Sequence, residues 1–504
     1  MLKNLIIQNS YYDSATLMLL TNQIKEKLSL KTDEVSIMMA TEMNKRIMED
    51  SGLLNDIGRK AGSGDVLISI KQDISDDEIL TIVKDLLNKK VETVKGNDID
   101  ITSVDLAIEV FKESNFAVVS LPGIYAAREV KKLLKAGKHV LLFSDNVSIE
   151  DEIMLKDLAV SKDLLMMGPD CGTAVIKGAG LGFSNKINKG SIGIVAASGT
   201  GMQEVMTIIS NNGGGISYAF GTGGRDVSEK VGGKMMLYCL DLLIKDTETK
   251  SIVIVSKPPA KSVLDKIFDK LKNIDKPVTA CFLGADTKSL KAENITFVET
   301  LEDAAILALK NNQIEYKAVF DTKKAILEHN ISKNNKYIRG IYCGGTLAYE
   351  SLLILEKEGM DVYSNLSKDS SKKLGVKDKS KANTILDMGE DEYTVGKPHP
   401  MINSSSRSEQ LIKEAEDNTT GIIIADVELG YGSLDTAADE LANVIKDIKS
   451  KRKDIIFIGV ICGSIQDYQD YNAKKRLLEE IGVLVTDSNA SAIRLAVSLV
   501  KKGE

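Results

Sequence analysis

The stretch Gly190-Ser-Ile-Gly-Ile-Val-Ala-Ala-Ser-Gly-Thr-Gly-Met-Gln-Glu204 restricts the fold more than any other part of this sequence. Ile192 to Ala197 is a short apolar run of the length of a strand buried on both faces. Ser198-Gly199-Thr200-Gly201 interrupts it, and Met202 to Ile209 reads as helix. A strand that turns over glycine straight into a helix leaves backbone N–H groups free at the helix N-terminus, where the dipole also favours negative charge. Phosphate or carboxylate fits there. Doubly wound proteins use such turns for geometry alone, so the motif leaves both readings open.

The pattern returns in Arg339-Gly-Ile-Tyr-Cys-Gly-Gly-Thr-Leu-Ala-Tyr-Glu350. Gly199, Thr200 and Glu204 align with Gly345, Thr346 and Glu350 at one constant offset. Further on, Gly221-Thr-Gly-Gly-Arg-Asp226 pairs loosely with Leu386-Asp-Met-Gly-Glu-Asp391, and the strand 251–256 with 421–426. A repeat of this length is a duplicated domain rather than a solenoid unit. Two such domains facing each other would aim two helix N-termini at one anion. Ser198, Gly199, Thr200, Gly344, Gly345 and Thr346 are therefore the candidates for holding phosphate or substrate.

At 504 residues there is room for about three domains. A formal charge of −7 argues against a nucleic-acid partner, which needs clustered positive charge. No apolar run approaches the ~20 residues of a membrane span, and the N-terminus reads as a first strand rather than a signal segment. Five cysteines without a Cys-x-x-Cys pair point away from disulfides and zinc, and make the cytoplasm the expected compartment.

Residues 1–187 alternate strand and helix signals, which predicts a parallel sheet wrapped by helices. The first strand is not followed by Gly-x-Gly-x-x-Gly, so the standard dinucleotide fingerprint is missing. Cys171 lies in an irregular loop, as a small buried residue or a reactive thiol. The second domain is expected at 188–312, a partly helical linker at 313–337 and the third domain at 338–504. Arg225 is a candidate oxyanion clamp, its plain alternative being a surface pair with Asp226. Of three histidines, His399 between two prolines is the catalytic candidate. Asp426 and Glu428 end a buried strand, where carboxylates serve magnesium or, more commonly, helix caps; no metal is assigned.

Phe116-Ala-Val-Val-Ser-Leu-Pro-Gly, Ala136-Gly137, Gly168-Pro-Asp-Cys and Gly193-Ile-Val-Ala-Ala-Ser-Gly-Thr resemble the alpha subunit of succinyl-CoA synthetase in order and spacing. Tyr342 to Glu350 onward resembles the ligase half of its beta subunit. The fused order, with Tyr12-Asp-Ser-Ala-Thr-Leu17 and Tyr393-Thr-Val-Gly-Lys-Pro-His-Pro400, resembles the FdrA family of acyl-CoA synthetase-like proteins. The resemblance implies an α/β chain: a Rossmann-like CoA-binding-type domain followed by two flavodoxin-like succinyl-CoA-ligase-type domains. Two parts of the synthetase have no match here, its Gly-His-Ala-Gly phosphohistidine stretch and its ATP-grasp domain.

What the resemblance implies for function is chemistry through an acyl phosphate. The first expectation is a subunit of oxamate carbamoyltransferase, an enzyme of allantoin breakdown that converts oxalurate and phosphate to oxamate and carbamoyl phosphate. An acid–CoA ligase working with partner subunits is the alternative, and a non-catalytic protein binding coenzyme A esters is the third. Phosphate or carbamoyl phosphate is the expected ligand, and coenzyme A stays open as a cofactor. The expected partners are a small-molecule substrate and the subunits of a hetero-oligomer.

Overall fold

The computed structural model describes residues 2–503 apart from 9–11, 13, 29, 32–33, 63, 73, 90–100, 333–334 and 396. The chain divides into two compact units, 1–101 and 102–504.

In the first unit, β1 (Leu2–Ile7), α1 (Ser14–Lys27), β2 (Val35–Met39), α2 (Glu42–Asp50), β3 (Val66–Lys71) and α3 (Asp76–Lys89) follow in order. The sheet runs β1-β3-β2, with β3 antiparallel to both neighbours. Val66, Ile68 and Ile70 alternate onto the face covered by Leu17, Leu20 and Ile24 of α1 and Ile79 and Val83 of α3. Leu67 faces the other way, against Met48 of α2. This corrects the expected 1–187 domain: its first three strands stand in an antiparallel sheet of their own, and the break falls at 101. Alternating strand and helix signals give no strand direction, which is why the sequence pattern fitted either sheet.

The second unit starts with α4 (Val104–Val110), β4 (Phe116–Val119), α5 (Gly123–Lys135), β5 (His139–Leu142), α6 (Ile149–Ser161) and β6 (Met166–Met167). Three parallel strands in the order β4-β5-β6 are what this region contributes to a Rossmann-like layer. The expected loop after Gly168 instead becomes a hairpin, β7 (Thr173–Ile176) and β8 (Ala179–Gly182), added to the next sheet.

That sheet contains β9 (Lys189–Ala196), β10 (Ile216–Gly221), β11 (Ser251–Ser256), β12 (Val278–Phe282) and β13 (Ile295–Val298). Its helices are α7 (Gly199–Asn211), α8 (Lys234–Lys245), α9 (Lys261–Leu271) and α10 (Leu301–Asn311). The strand order is β13-β12-β11-β9-β10-β7-β8, a flavodoxin-like 2-1-3-4-5 extended by the hairpin. α11 (Thr322–Glu328) lies in the connection.

The third segment holds β14 (Tyr337–Tyr342), α12 (Gly345–Lys357), β15 (Val362–Ser364), β16 (Asn383–Asp387), α13 (Asp391–Thr394) and α14 (Ser405–Glu416). It continues with β17 (Thr420–Glu428), α15 (Ala437–Lys451), β18 (Ile456–Cys462), α16 (Tyr471–Glu480), β19 (Val483–Thr486) and α17 (Asn489–Gly503). The order β15-β16-β14-β17-β18-β19 repeats the 2-1-3-4-5 pattern with one edge strand added. β9 thus corresponds to β14, α7 to α12 and α10 to α17, as the internal repeat requires.

One hydrophobic core joins the repeats. It combines Met202, Val205 and Ile209 of α7 with Ala304 and Ala308 of α10, Leu347 and Leu352 of α12, and Ile493 and Ala496 of α17. Every residue of α7 from Gly201 to Ser210 is buried. An ordinary surface helix exposes a polar stripe; in α7 Gln203, Thr207 and Ser210 are buried as well, because its own sheet takes one side and the other repeat takes the opposite side. The strap 183–186 adds polar stitches: Tyr431 N–H donates to Ser184 C=O at 2.7 Å, and Asn185 Nδ2 reaches Asp467 at 2.7 Å.

Candidate functional site

β9 and β14 each end in a glycine turn that starts a helix, and the two turns meet. The Ser198 Oγ lies 2.6 Å from the Thr346 Oγ1, and the Thr346 backbone N–H donates to the Thr200 Oγ1 at 3.3 Å. Ser198 also caps its own helix by accepting from Gly201 N at 3.1 Å. α12 has Gly344 at its N-cap, which offers no capping side chain. Ser198, Thr200 and Thr346 thus meet directly, with Gly199, Gly344 and Gly345 as their neighbours in the chain.

Asp387, at the end of β16, stands in front of this meeting point. A Cβ on Gly345 would overlap its Oδ2, while its Oδ1 accepts from Gly389 N at 2.9 Å. Burial, then the nearby Glu390 and Asp426, push Asp387 up to about 7, against the opposing pull of the Gly389 N–H and Lys257. A carboxyl in that range exchanges a proton at neutral pH. His399 stands across Gly389 from it, with Nε2 where a Cβ on Gly389 would be and Asp387 Oδ1 3.2 Å from that point. His399 Nδ1 accepts from Met401 N at 3.2 Å, which leaves Nε2 to carry the proton, and burial lowers its basicity. Lys257 places its ammonium 5.5 Å from the Tyr349 ring centroid. Its field reaches both Asp387 and Asp170. Desolvation, with Asp145 and Asp391 nearby, pushes Asp170 up to about 6.

Arg225 is engaged by α6 and the loop before it. Its Nη2 lies 2.9 Å from Glu152 and 2.8 Å from the Val147 carbonyl, so its partner is Glu152 rather than Asp226. Asp226 is taken instead by the buried Lys156 at 2.8 Å. Cys171 is buried and accepts no role as a nucleophile: desolvation pushes its thiol up to about 12.

Behind Gly344 lies a buried group of Cys343, Asp426, Glu428 and Arg407. Asp426 accepts from Cys343 N at 2.9 Å and Gly344 N at 2.7 Å, the backbone that leads into α12. Cys343 Sγ, Asp426 and Glu428 could surround a metal ion. The guanidinium of Arg407 already supplies the positive charge, 3.1 Å from Cys343 Sγ and 3.2 Å from Asp426 Oδ1. Burial would raise Asp426, but Arg407 holds it below the usual range; burial and then Asp426 push Glu428 well above it.

Sequence reasoning passed over Asp387 and Lys257. Asp387 was visible as the charged end of a short strand, after Ile385 and Leu386, and Lys257 as the cation directly after β11.

Comparison with known proteins covers nearly the whole chain. A family model described as CoA-ligase matches residues 341–499, one described as CoA binding domain matches 187–284, and one described as AllF, heavy metal-associated domain matches 1–101. The uncharacterized protein YahF of Escherichia coli (strain K12) is 37% identical over 514 residues, covering 100% of this chain and 99% of YahF. This chain belongs to the acyl-CoA synthetase-like family that includes YahF.

More distant relatives carry named activities. The ADP-forming succinate–CoA ligase subunit alpha of Aquifex aeolicus (strain VF5) is 27% identical over 35% of this chain and 59% of its own. The ADP-forming sulfoacetate-CoA ligase subunit SqwL of Acholeplasma sp is 29% identical over 31% and 54%. The chain thus spans little more than half of the ligase subunits it matches. A solved dinucleotide-forming acetyl-coenzyme A synthetase 1 of Ca. Korarchaeum cryptofilum, in complex with phosphate and ADP, is 16% identical over 85% of this chain and 94% of that one, at TM-score 0.34. Residues 1–101 hold neither cysteine nor histidine, the donors that soft metals take. A heavy-metal thiolate site does not fit this unit. No helix among the described residues is long and apolar enough to cross a membrane.

Proposed function

We propose that this chain carries the acyl-phosphate step of an acid–CoA ligase-type reaction, together with partner subunits. The observation that carries the reading is the meeting of two uncharged glycine turns, at the starts of α7 and α12, beside a buried carboxyl that titrates near neutrality. The helix N-termini would hold the phosphoryl oxygens, and the hydroxyls of Ser198, Thr200 and Thr346 would add donors where charge gathers in the transition state. Asp387 would take up the proton released as the acyl group changes acceptor, with the neutral His399 orienting it. Coenzyme A, when bound, supplies the thiol acceptor. The residues fit it at the start of α5, where Pro122 gives no side-chain cap and Leu121, Ile124 and Tyr125 stand exposed. That place is the carboxyl end of β4, where open sheets take ligands.

The sequence put carbamoyl transfer first. The relatives with named activities are acid–CoA ligases, so the ligase class now leads. Carbamoyl phosphate remains the second reading because it too is an acyl phosphate and needs only the same turns. Assignment to the FdrA branch belongs with that second reading, as does the catalytic role of Arg225; partner subunits belong to both.

The test gives purified full-length chain acetyl phosphate or carbamoyl phosphate, with coenzyme A or oxamate as acceptor. Coenzyme A-dependent consumption of acetyl phosphate supports the ligase reading. Oxalurate formed from carbamoyl phosphate and oxamate, with no thioester in parallel, would replace it by the second.

A further inference from the structure

Glu204 and Glu350 are the repeat's third aligned position, and neither takes part in the site above. Both are fully buried, on α7 and α12. The Glu204 Oε1 accepts from Asn489 N at 2.9 Å, the first residue of α17. The Glu350 Oε1 accepts from Leu301 N at 2.7 Å, the first residue of α10. Each glutamate therefore reaches out of its own repeat and binds the first N–H of the other repeat's closing helix. That N–H has no partner inside its helix. The ordinary caps are occupied elsewhere: Thr300 accepts from Asp303 N at 3.1 Å and Ser488 from Ser491 N at 3.0 Å.

We infer that Glu204 and Glu350 are a reciprocal pair of cross-repeat caps that set how closely the two anion-facing turns approach. The helices form a closed ring. α7 packs on α10 and α12 packs on α17 within each repeat. Glu350 joins α12 to α10, and Glu204 joins α7 to α17, across the repeats. Asn489 links the two caps inside its own repeat, donating from Nδ2 to Glu350 Oε2 at 2.8 Å. The capping stands on these contacts alone; its effect on anion affinity rests on the proposed function.

The side chains around the pair are Glu302, Arg494, Cys462 and Tyr471, and desolvation dominates, pushing Glu204 up to about 8 and Glu350 to about 7. Gln is then a close mimic at 204, where one carbonyl oxygen accepts the same N–H, but not at 350, where both oxygens accept and an amide NH2 would face the Asn489 Nδ2 donor.

Amide hydrogen exchange of the full-length chain, read by peptide mass spectrometry, tests the caps. E350A is expected to speed exchange at the start of α10 by roughly tenfold, the change expected for one lost hydrogen bond. E204A should do the same at the start of α17, each leaving the other helix's first turn near wild type. E204Q should match wild type at both. If each Ala variant loosens only its own repeat, or both helices equally, the reciprocal caps are refuted. Titration with inorganic phosphate then reads the positioning: the Ala variants should bind severalfold more weakly and E204Q normally. Unchanged affinity alongside the expected exchange pattern overturns the positioning role. A wild-type chain that does not bind phosphate counts against the anion site, and the exchange pattern still decides the caps.

Discussion

Replacing Asp387 with Asn removes a titratable carboxyl while keeping an oxygen to accept from Gly389. In the folded protein this carboxyl is raised from 3.8 to about 7. A group raised by about three units disfavours its charged form by ~4 kcal/mol at most. The sign follows from linkage: a raised carboxyl contributes its stability below about pH 4 and loses it as pH climbs through 7. Wild type should therefore lose ~1.4 kcal/mol per pH unit relative to Asp387→Asn between those limits, and nothing further above about pH 8. Urea unfolding followed by circular dichroism at pH 5, 7 and 8.5 measures the gap. The variant should gain on wild type at each step up in pH. A gap that stays constant, or closes with rising pH, would refute both the raised carboxyl and its use as a proton acceptor. In the acyl-transfer assay the same variant should lose about a hundredfold or more in rate, the usual worth of a positioned acid or base.

Thr346→Val deletes the hydroxyl that meets Ser198 and should lower acyl transfer by about a hundredfold while costing only ~1 kcal/mol in unfolding free energy; full activity would move the site elsewhere. Gly345→Ala drives a methyl group into Asp387 Oδ2, so phosphate affinity should fall and stability drop by ~1–3 kcal/mol, checked by titration and melting. Arg407→Met strands Asp426 and Glu428 without their cation and should cost ~3–5 kcal/mol in urea unfolding; a neutral result would reopen the cluster as a metal site. Calorimetry with ATP and magnesium should give no micromolar binding to the chain alone, and tight binding would place the nucleotide step here.

β9 and α7, and their counterparts β14 and α12, were legible because a buried run broken by glycine leaves few alternatives. The pairing of the two turns was legible too, since a repeated motif that buries one face needs its copy as partner. Strand direction in 1–101 was not, because both sheet types use alternating elements there. Asp387 escaped notice because its burial, with Asp426, Gly345 and His399 nearby, brings together residues that no local pattern connects. Arg225 and Glu152 are 73 positions apart in the numbering, too far for any local pattern to prefer that pair over Asp226 next door. Glu204 and Glu350 were aligned in the repeat, yet their roles depend on Asn489 and Leu301, which no spacing rule connects to them.

The all-round burial of α7 has a price during synthesis. Glu204 waits for a partner 285 residues further along. At about 5–20 residues per second a ribosome needs roughly 15–60 s to deliver that partner. Through that interval Met202, Val205, Met206 and Ile209, all buried in the finished protein, have only half of their final surroundings. A nascent chain in this state presents an apolar helix to the cell, and holding it there without aggregation becomes a task for chaperones rather than for the fold.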